Sequence, residues 1–509
     1  MGKGGSVSVK EGNVMSEDAP VNTGAVEWPS PDSAYFMVRS MQTKLHRWAA
    51  EDPGRRFGDL FNLVYDRAFL VAAWERVSTN RGAQTAGIDK ATAAMVETGI
   101  GVGAFLGQLR DSLKSGEFRP VEVRRVMIPK GDTGKFRKLG IPTISDRVVQ
   151  ASLKLVLEPI FEADFKPCSY GFRPNRRAHD AISEIHYLTS HPRNYQWVLE
   201  CDIKACFDEI SHAALMDRFR ARIKDKRVCA LVKAFLKSGV LTELGGREET
   251  RTGTPQGGIL SPLLANIALS ALDDHFDQQW HQEMGTEYQR AKRRRNGQGN
   301  WKICRYADDF VLLVSGDRCH AEALREEVTA VLAPLGLRLA PEKTAVVHIN
   351  EGFDFLGFRI RQMRKRGTSK YYVYTMPSRK AIQSVRDKVR AKTYRSTRHM
   401  DLGELITSLN QSLAGWANYF RYGVSKAAFS DIDSFTWGRL MRWIRAKYKG
   451  RTGLSMKELR RRFCDQGWRF ACNGVVYTGA SSVAVTRYRY RGATIPTPWT
   501  PRPAAAESG

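Results

Sequence analysis

Three aspartates define the chemistry open to this chain. Asp308 and Asp309 are adjacent in Arg305-Tyr306-Ala307-Asp308-Asp309-Phe310, between two apolar runs. Asp202 closes a third apolar run that begins at Trp197. Acids among apolar strand residues are costly unless something positive compensates them. An Asp-Asp pair alone, at the tip of a hairpin, reads as a solvated turn. A third acid at the end of a neighbouring strand changes that reading, because three carboxylates can build a site for two divalent cations. Hard cations such as Mg²⁺ take oxygen ligands and bind through few carboxylates plus substrate phosphates. Two of them about 3.5–4 Å apart activate an attacking hydroxyl and stabilise the leaving oxygen of an in-line phosphoryl displacement.

The charge balance agrees with a polyanionic substrate. The 509 residues hold 80 Lys+Arg against 53 Asp+Glu, a formal charge of +27. Such a surplus points to nucleic acid, hence to a polymerase or a nuclease. The 42% hydrophobic content supports sizeable cores and excludes a chain disordered throughout. No apolar run is long enough to span a membrane, and the first 30 residues lack the apolar core of a secretory signal. Eight scattered cysteines with no CxxC pair give neither a zinc site nor a disulfide framework. The expected compartment is reducing and intracellular.

Positioning these acids requires strands at their ends. The patterns predict a strand over 197–203, a hairpin over 303–314 and one strand over 353–360. Helical spacing runs through 42–115 and again through 146–190, with a break at 166–177. The chain between them, 119–145, is β-branched with a basic glycine-rich loop. A helical, strongly basic pattern follows Pro377 up to about 449, and Gly450 and Gly453 mark a boundary. Residues 1–40 read as a loose leader.

Taken together, ordered motifs resemble one family. Tyr306-Ala307-Asp308-Asp309 is similar to the catalytic box of reverse transcriptases, and Thr254-Pro255-Gln256-Gly257-Gly258 through Ile267 is similar to the box that meets it in space. Ser169-Tyr170-Gly171-Phe172-Arg173-Pro174 and Phe355-Leu356-Gly357-Phe358 resemble the wording of group II intron-encoded reverse transcriptases, or maturases. The resemblance covers roughly residues 55–450.

The resemblance implies an α+β right-hand polymerase: an antiparallel palm sheet, fingers, and a helical maturase thumb. Its expected limits are an N-terminal helical extension at 41–115, fingers and palm at 116–360, a thumb and maturase region at 361–450, and a basic C-terminal appendage at 451–509. Asp202 and Asp308 carry over as ligands of two Mg²⁺ ions, with the Ile203 carbonyl as a further ligand and Asp309 as the supporting acid. Phe207 matches the aromatic residue that excludes a 2′-hydroxyl, which favours dNTPs. Lys130 and Arg137 match a fingers loop that closes over a triphosphate; Lys135 is a weaker candidate. Gln256 matches a dNTP-contacting glutamine, and Lys343 a lysine placed to protonate the leaving pyrophosphate.

Two basic runs suggest an RNA surface. One is Arg290 with Lys292 to Arg295, read as a loop before the catalytic hairpin, with Arg293, Arg294 and Arg295 as contacts. The other is 361–398, with thirteen Lys/Arg, one acid and interleaved tyrosines, where Lys388, Arg390 and Lys392 are the expected contacts. Leu405, Leu409, Leu413, Trp416 and Phe420 form an apolar helical stripe, read first as core. Many family members end in an HNH endonuclease with paired cysteines; Cys464 and Cys472 are single here, so no such domain is recognised. The expectation is an RNA-directed DNA polymerase that binds intron RNA, an RNA template with a DNA primer, dNTPs and target DNA, with no membrane partner. The alternatives are a domesticated reverse transcriptase in defence or repair, and a pure RNA-folding maturase that would not need the three acids.

Overall fold

Alternating burial along a few strands organises the molecule. The computed structural model describes residues 27–129, 134, 136–242, 246–448, 455–465, 467–492 and 495–500. Its strands are β1 (Val123–Pro129), β2 (Phe136–Ile141), β3 (Trp197–Asp202), β4 (Val240–Leu241), β5 (Arg247–Glu248), β6 (Asn300–Tyr306), β7 (Asp309–Ser315), β8 (Ala345–His348), β9 (Phe353–Phe355), β10 (Phe358–Arg364), β11 (Tyr371–Pro377), β12 (Ala471–Cys472) and β13 (Val475–Val476). The sheet that matters most has the order β6-β7-β3-β8, antiparallel throughout.

This sheet separates two hydrophobic cores. Leu199, Cys201, Ile303, Phe310, Leu312 and Val314 face the first core, with the N-terminal helices and the helix Ile144–Asp164. Val198, Cys304, Val311 and Leu313 face the second, with the helix Ala178–Thr189, β9–β11 and the C-terminal helices. A period of two along each strand makes this assignment unambiguous, since a one-residue slip would exchange the cores.

The helix Pro31–Glu51 starts inside the stretch expected to be a loose leader to residue 40. Its signals are local: Ser30 accepts from the Ser33 N–H, Pro31 occupies the first turn, and Ala34, Val38, Leu45 and Ala49 are buried at helical spacing. The single strand expected at 353–360 is two strands, because Leu356 and Gly357 turn the chain with φ +48° and +80°. The β10–β11 hairpin crosses the boundary expected at 360. Among the described residues the basic run at 290–295 lies on the helix Glu287–Arg295 rather than in a loop, with Thr286 and Gln289 forming its capping box.

The apolar stripe of the helix Leu402–Phe420 is core: Leu405, Leu409, Leu413 and Phe420 are buried, and Trp416 packs on Phe420 and Phe429. The described C-terminal residues pack against the rest of the chain. They run back along the helix Ala178–Thr189 to the N-terminal helix, where Trp499 is buried and its indole N–H donates to Gln42 Oε1 at 3.1 Å. All eight cysteines are free. Among the described residues no helix is long and apolar enough to cross a membrane.

Candidate active site

Asp202, the last residue of β3, stands directly opposite Asp309, the first residue of β7. Opposed residues of an antiparallel pair project to the same face. Both therefore stand at the strand ends on the second-core side, in line with Val198 and Leu313. Tyr306 of β6 flanks Asp309 from the other side. Asp308 sits in the turn between β6 and β7, after Ala307, whose φ is +58°. A left-handed conformation costs a non-glycine residue about 1 kcal/mol, so surrounding structure must hold it.

Arg305 does so from behind the sheet. Its side chain is fully buried on the first-core face and donates to Asp273 Oδ1 at 2.7 Å, Asn266 Oδ1 at 3.0 Å, Ser169 Oγ at 2.8 Å and the Ala307 carbonyl at 2.9 Å. Asp273 and Asn266 come from the helix Ser261–Gln278, and Ser169 from a segment bridged to Arg305. Gly171 completes the contact, since a Cβ there would lie 2.4 Å from the Ala307 nitrogen. The motifs at 169–174 and 254–267 thus meet at the turn that carries Asp308. Sequence reasoning passed over Arg305 and Asp273; an arginine immediately before the box was the available signal.

Burial and neighbouring acids raise the proton affinity of Asp308 and Asp309. Asp308 is shifted upward by desolvation and by the charge of Asp202. Asp309 is pushed up to about 6 by desolvation, then by Asp308 and Asp202, although its side chain opens to solvent on one side. Lys343 Nζ lies 2.9 Å from Asp202 Oδ2, and this bond raises its own pKa, so the lysine is held protonated. The Arg137 charge lowers both Asp308 and Asp309, so β2 delivers a cation to the site. Among the described residues no three of His, Cys, Asp and Glu close into a finished cage for a metal. The arrangement is an open cluster of carboxylates with unmet demand for positive charge.

The Ile203 carbonyl has a defined direction. Ile203 bridges Leu339, with the Ala340 N–H donating to Asp202 O at 2.8 Å and the Lys204 N–H to Arg338 O at 3.0 Å. Neighbouring residues thus take the bonds to that segment, and the Ile203 carbonyl faces away from it.

Phe207 is half-buried in the short helix Cys206–Glu209 and meets Phe172 edge-on, ring centroids 6.5 Å apart. Its carbonyl accepts from the Thr254 N–H at 2.6 Å. Gly253, with φ +78°, lies against this turn, and a Cβ there would sit 2.5 Å from the Phe207 oxygen. The Gln256 amide reaches Asp208 at 3.4 Å, and its carbonyl accepts from the Gly140 N–H of β2 at 2.7 Å. The glycine-rich loop therefore ties β2 to the Phe207 turn. Lys130 and Lys135 lie outside the described residues.

Comparison with known proteins decides the family. Residues 128–360 match the reverse transcriptase (RNA-dependent DNA polymerase) family, and residues 382–463 match the group II intron maturase-specific domain. Protein YkfC of Escherichia coli (strain K12) is 38% identical over 364 residues, 68% of this chain and 94% of that protein. Group II intron-encoded protein LtrA of Lactococcus lactis subsp. cremoris is 32% identical over 466 residues, 77% of this chain and 75% of that protein. The chain belongs to the group II intron-encoded reverse transcriptases. Nuclear intron maturase 1, mitochondrial, of Arabidopsis thaliana is 25% identical over 300 residues, 45% of this chain and 42% of that protein.

This group II intron reverse transcriptase is an RNA-directed DNA polymerase with a maturase role. The maturase match continues through the helix Met456–Phe463, past the boundary expected at 450. Within its basic runs, cations divide into two groups. Arg294, Arg295 and Lys388 are exposed and make no ion pair among the described residues. Arg293 donates to Asn300 Oδ1 at 3.2 Å and Gly299 O at 3.0 Å, Arg390 pairs with Asp387 and lies over Phe435, and Lys392 bonds Ser408.

Proposed function

We propose that Asp202, Asp308 and the Ile203 carbonyl hold two Mg²⁺ ions, with Asp309 supporting them, and that this centre extends a DNA primer on an RNA template. The observation that carries the reading is the cross-strand pairing of Asp202 with Asp309, beside Asp308 on its constrained turn. The donor set fits hard cations: every group is an oxygen, and burial with neighbouring negative charge raises the proton affinity of Asp308 and Asp309, which a bound cation would relieve. When bound, the ions would activate the primer hydroxyl and neutralise charge on the transferred phosphoryl group. Substrate phosphates complete such open shells, which accounts for the absence of a closed cage.

The chain's own residues supply the remainder. Phe207 fills the space of a ribose 2′-hydroxyl and offers it no hydrogen bond. Arg137 and Lys130 would neutralise the triphosphate. Gln256 lies on the loop facing the nucleotide. Lys343, held protonated beside Asp202, has a proton to give to the leaving pyrophosphate. In this layout the β6-β7-β3-β8 sheet is the palm, the β1–β2 hairpin belongs to the fingers, and the helices from Arg379 onward form the thumb. The partners are intron RNA, an RNA template with its DNA primer, dNTPs and target DNA, in the bacterial cytoplasm at the nucleoid. The three acids speak against a role as RNA-folding protein alone. The test is extension of oligo(dT) on poly(rA) with dTTP: synthesis with Mg²⁺ and none after chelation supports the reading, and metal-independent synthesis overturns it.

A further inference from the structure

A second basic site lies away from the carboxylates. The helix Ala178–Thr189, the β10–β11 hairpin and the C-terminal segment 485–490 enclose a cleft of about 700 Å³. That is the size of pockets that hold molecules as large as a nucleotide. None of its lining residues belongs to the active site described above.

The C-terminal segment is fastened there by specific bonds. The Thr486 N–H donates to Arg421 O at 3.0 Å, the Tyr488 hydroxyl to Asp180 Oδ1 at 2.9 Å, and Arg491 Nε to the same oxygen at 2.8 Å. These contacts neutralise the nearest acids. Asp180 is paired with Arg491, which with its hydrogen bonds outweighs desolvation and lowers its pKa. Glu184 is held by Lys302 at 2.9 Å and by the Tyr490 hydroxyl.

What remains facing the cleft is positive and aromatic. Arg487 and Arg489 line it, are exposed, and make no ion pair among the described residues. Arg193 lies 3.6 Å over the Tyr187 ring, which stacks on Tyr490 with centroids 4.4 Å apart and planes within 19°. His186 is held neutral by burial and by the nearby Arg487 charge, so the fixed charge of the cleft comes from arginines. Unpaired guanidinium groups beside a ring stack are the two elements that bind single strands: cations track phosphates, and bases stack on aromatic faces.

We propose that this cleft binds a single-stranded nucleic-acid segment, separate from the primer-template at the carboxylates. Arg487 and Arg489 contact its phosphates, and the Arg193–Tyr187–Tyr490 stack receives a base. The ligand class rests on the proposed polymerase reading. RNA and DNA share this chemistry, and sugar identity is left to the test.

The experiment uses the full-length protein saturated with a short primer-template. The probe is a labelled single strand of about 12 nucleotides, as RNA and as DNA of the same sequence. In Arg487→Ala/Arg489→Ala, probe affinity should fall about tenfold, and the log–log salt slope should flatten by about 1.4, for two phosphates at roughly 0.7 each. Primer extension should change less than about twofold. A photo-crosslinking residue at Val485, an exposed cleft residue, should capture the strand. The stronger arm identifies RNA or DNA as the occupant. Unchanged affinity with no crosslink overturns the proposal. So does a proportional loss of primer extension, which would make the cleft part of the primer-template track, and so does complete displacement by millimolar inorganic phosphate, which would make it a simple anion site. Probe capture by a protein that extends no primer would instead overturn the polymerase reading and leave this site standing.

Discussion

The Arg305 guanidinium donates to the Ala307 carbonyl at 2.9 Å while its Nε bonds Asp273 at 2.7 Å. One buried ion pair behind the sheet thus fixes the left-handed residue that presents Asp308 on the other side. Both side chains are fully buried, so removing one partner leaves an uncompensated charge.

Arg305→Met should therefore destabilise the protein by about 3–5 kcal/mol, read as a lower denaturation midpoint. Adding Asp273→Leu removes the orphaned charge and should recover much of that stability. Primer extension should stay depressed in the double variant, because the bond to Ala307 is still missing. Recovery of activity together with stability would reduce Arg305 to a purely structural role.

Phe207 is the sugar gate on this account. Phe207→Val should raise incorporation of ribonucleotides relative to deoxyribonucleotides by about tenfold or more, the effect of about 1.4 kcal/mol of lost discrimination. Competition between dTTP and UTP on one template reads the ratio. An unchanged ratio removes Phe207 from this role.

The basic helix Arg379–Lys392 divides by partner. Lys388 and Arg390 are both exposed, but Lys388 makes no ion pair among the described residues, whereas Arg390 pairs with Asp387 and Lys392 bonds Ser408. Lys388→Ala should flatten the salt dependence of intron RNA binding by about 0.7 in the log–log slope, without lowering the melting temperature. Lys392→Ala should lower the melting temperature as well. Equal melting shifts for the two variants would contradict this division.

Asp146 supplies a pH dependence remote from the acids. Desolvation is the largest cause raising its carboxyl to about 6, against hydrogen bonds from Thr143 and the main chain, with the Asp89 charge adding to the rise and Arg147 beside it. The folded state therefore binds this proton more tightly than the unfolded chain, whose value is 3.8. Its contribution is fully present below that value and is lost as pH rises through about 6. Asp146→Asn should flatten the decline of stability between about pH 4 and pH 7, by at most about 3 kcal/mol. Parallel pH profiles for the two proteins would contradict the assignment.

The cluster of acids is legible in the sequence because its signals are local. Acids at the ends of apolar runs identify strand termini, and the motif order places those strands together. The helices at 144–164 and 178–189 were equally visible through their spacing and the break between them. What stayed hidden depends on long-range contact. Nothing near Arg305 announces Asp273, thirty-two residues away, as its partner. Trp499 and Tyr488 gave only a basic, tyrosine-rich tail, and their burial against Gln42 and Asp180 follows from tertiary packing. The helix from Pro31 was masked by the Gly- and Ser-rich stretch before it and by the exposed Tyr35, Phe36 and Met37, which blur the spacing of its buried stripe.

The central claim is that Asp308 holds the ion that organises phosphoryl transfer. Asp308→Ala should be measured for primer extension on poly(rA)–oligo(dT) with Mg²⁺ and, on the same preparation, for affinity to intron RNA. The account predicts a rate lower by about three orders of magnitude or more, an effect of at least 4 kcal/mol, with RNA affinity unchanged within about twofold. Extension at near the native rate, or a loss of RNA binding in proportion to the loss of rate, would contradict it.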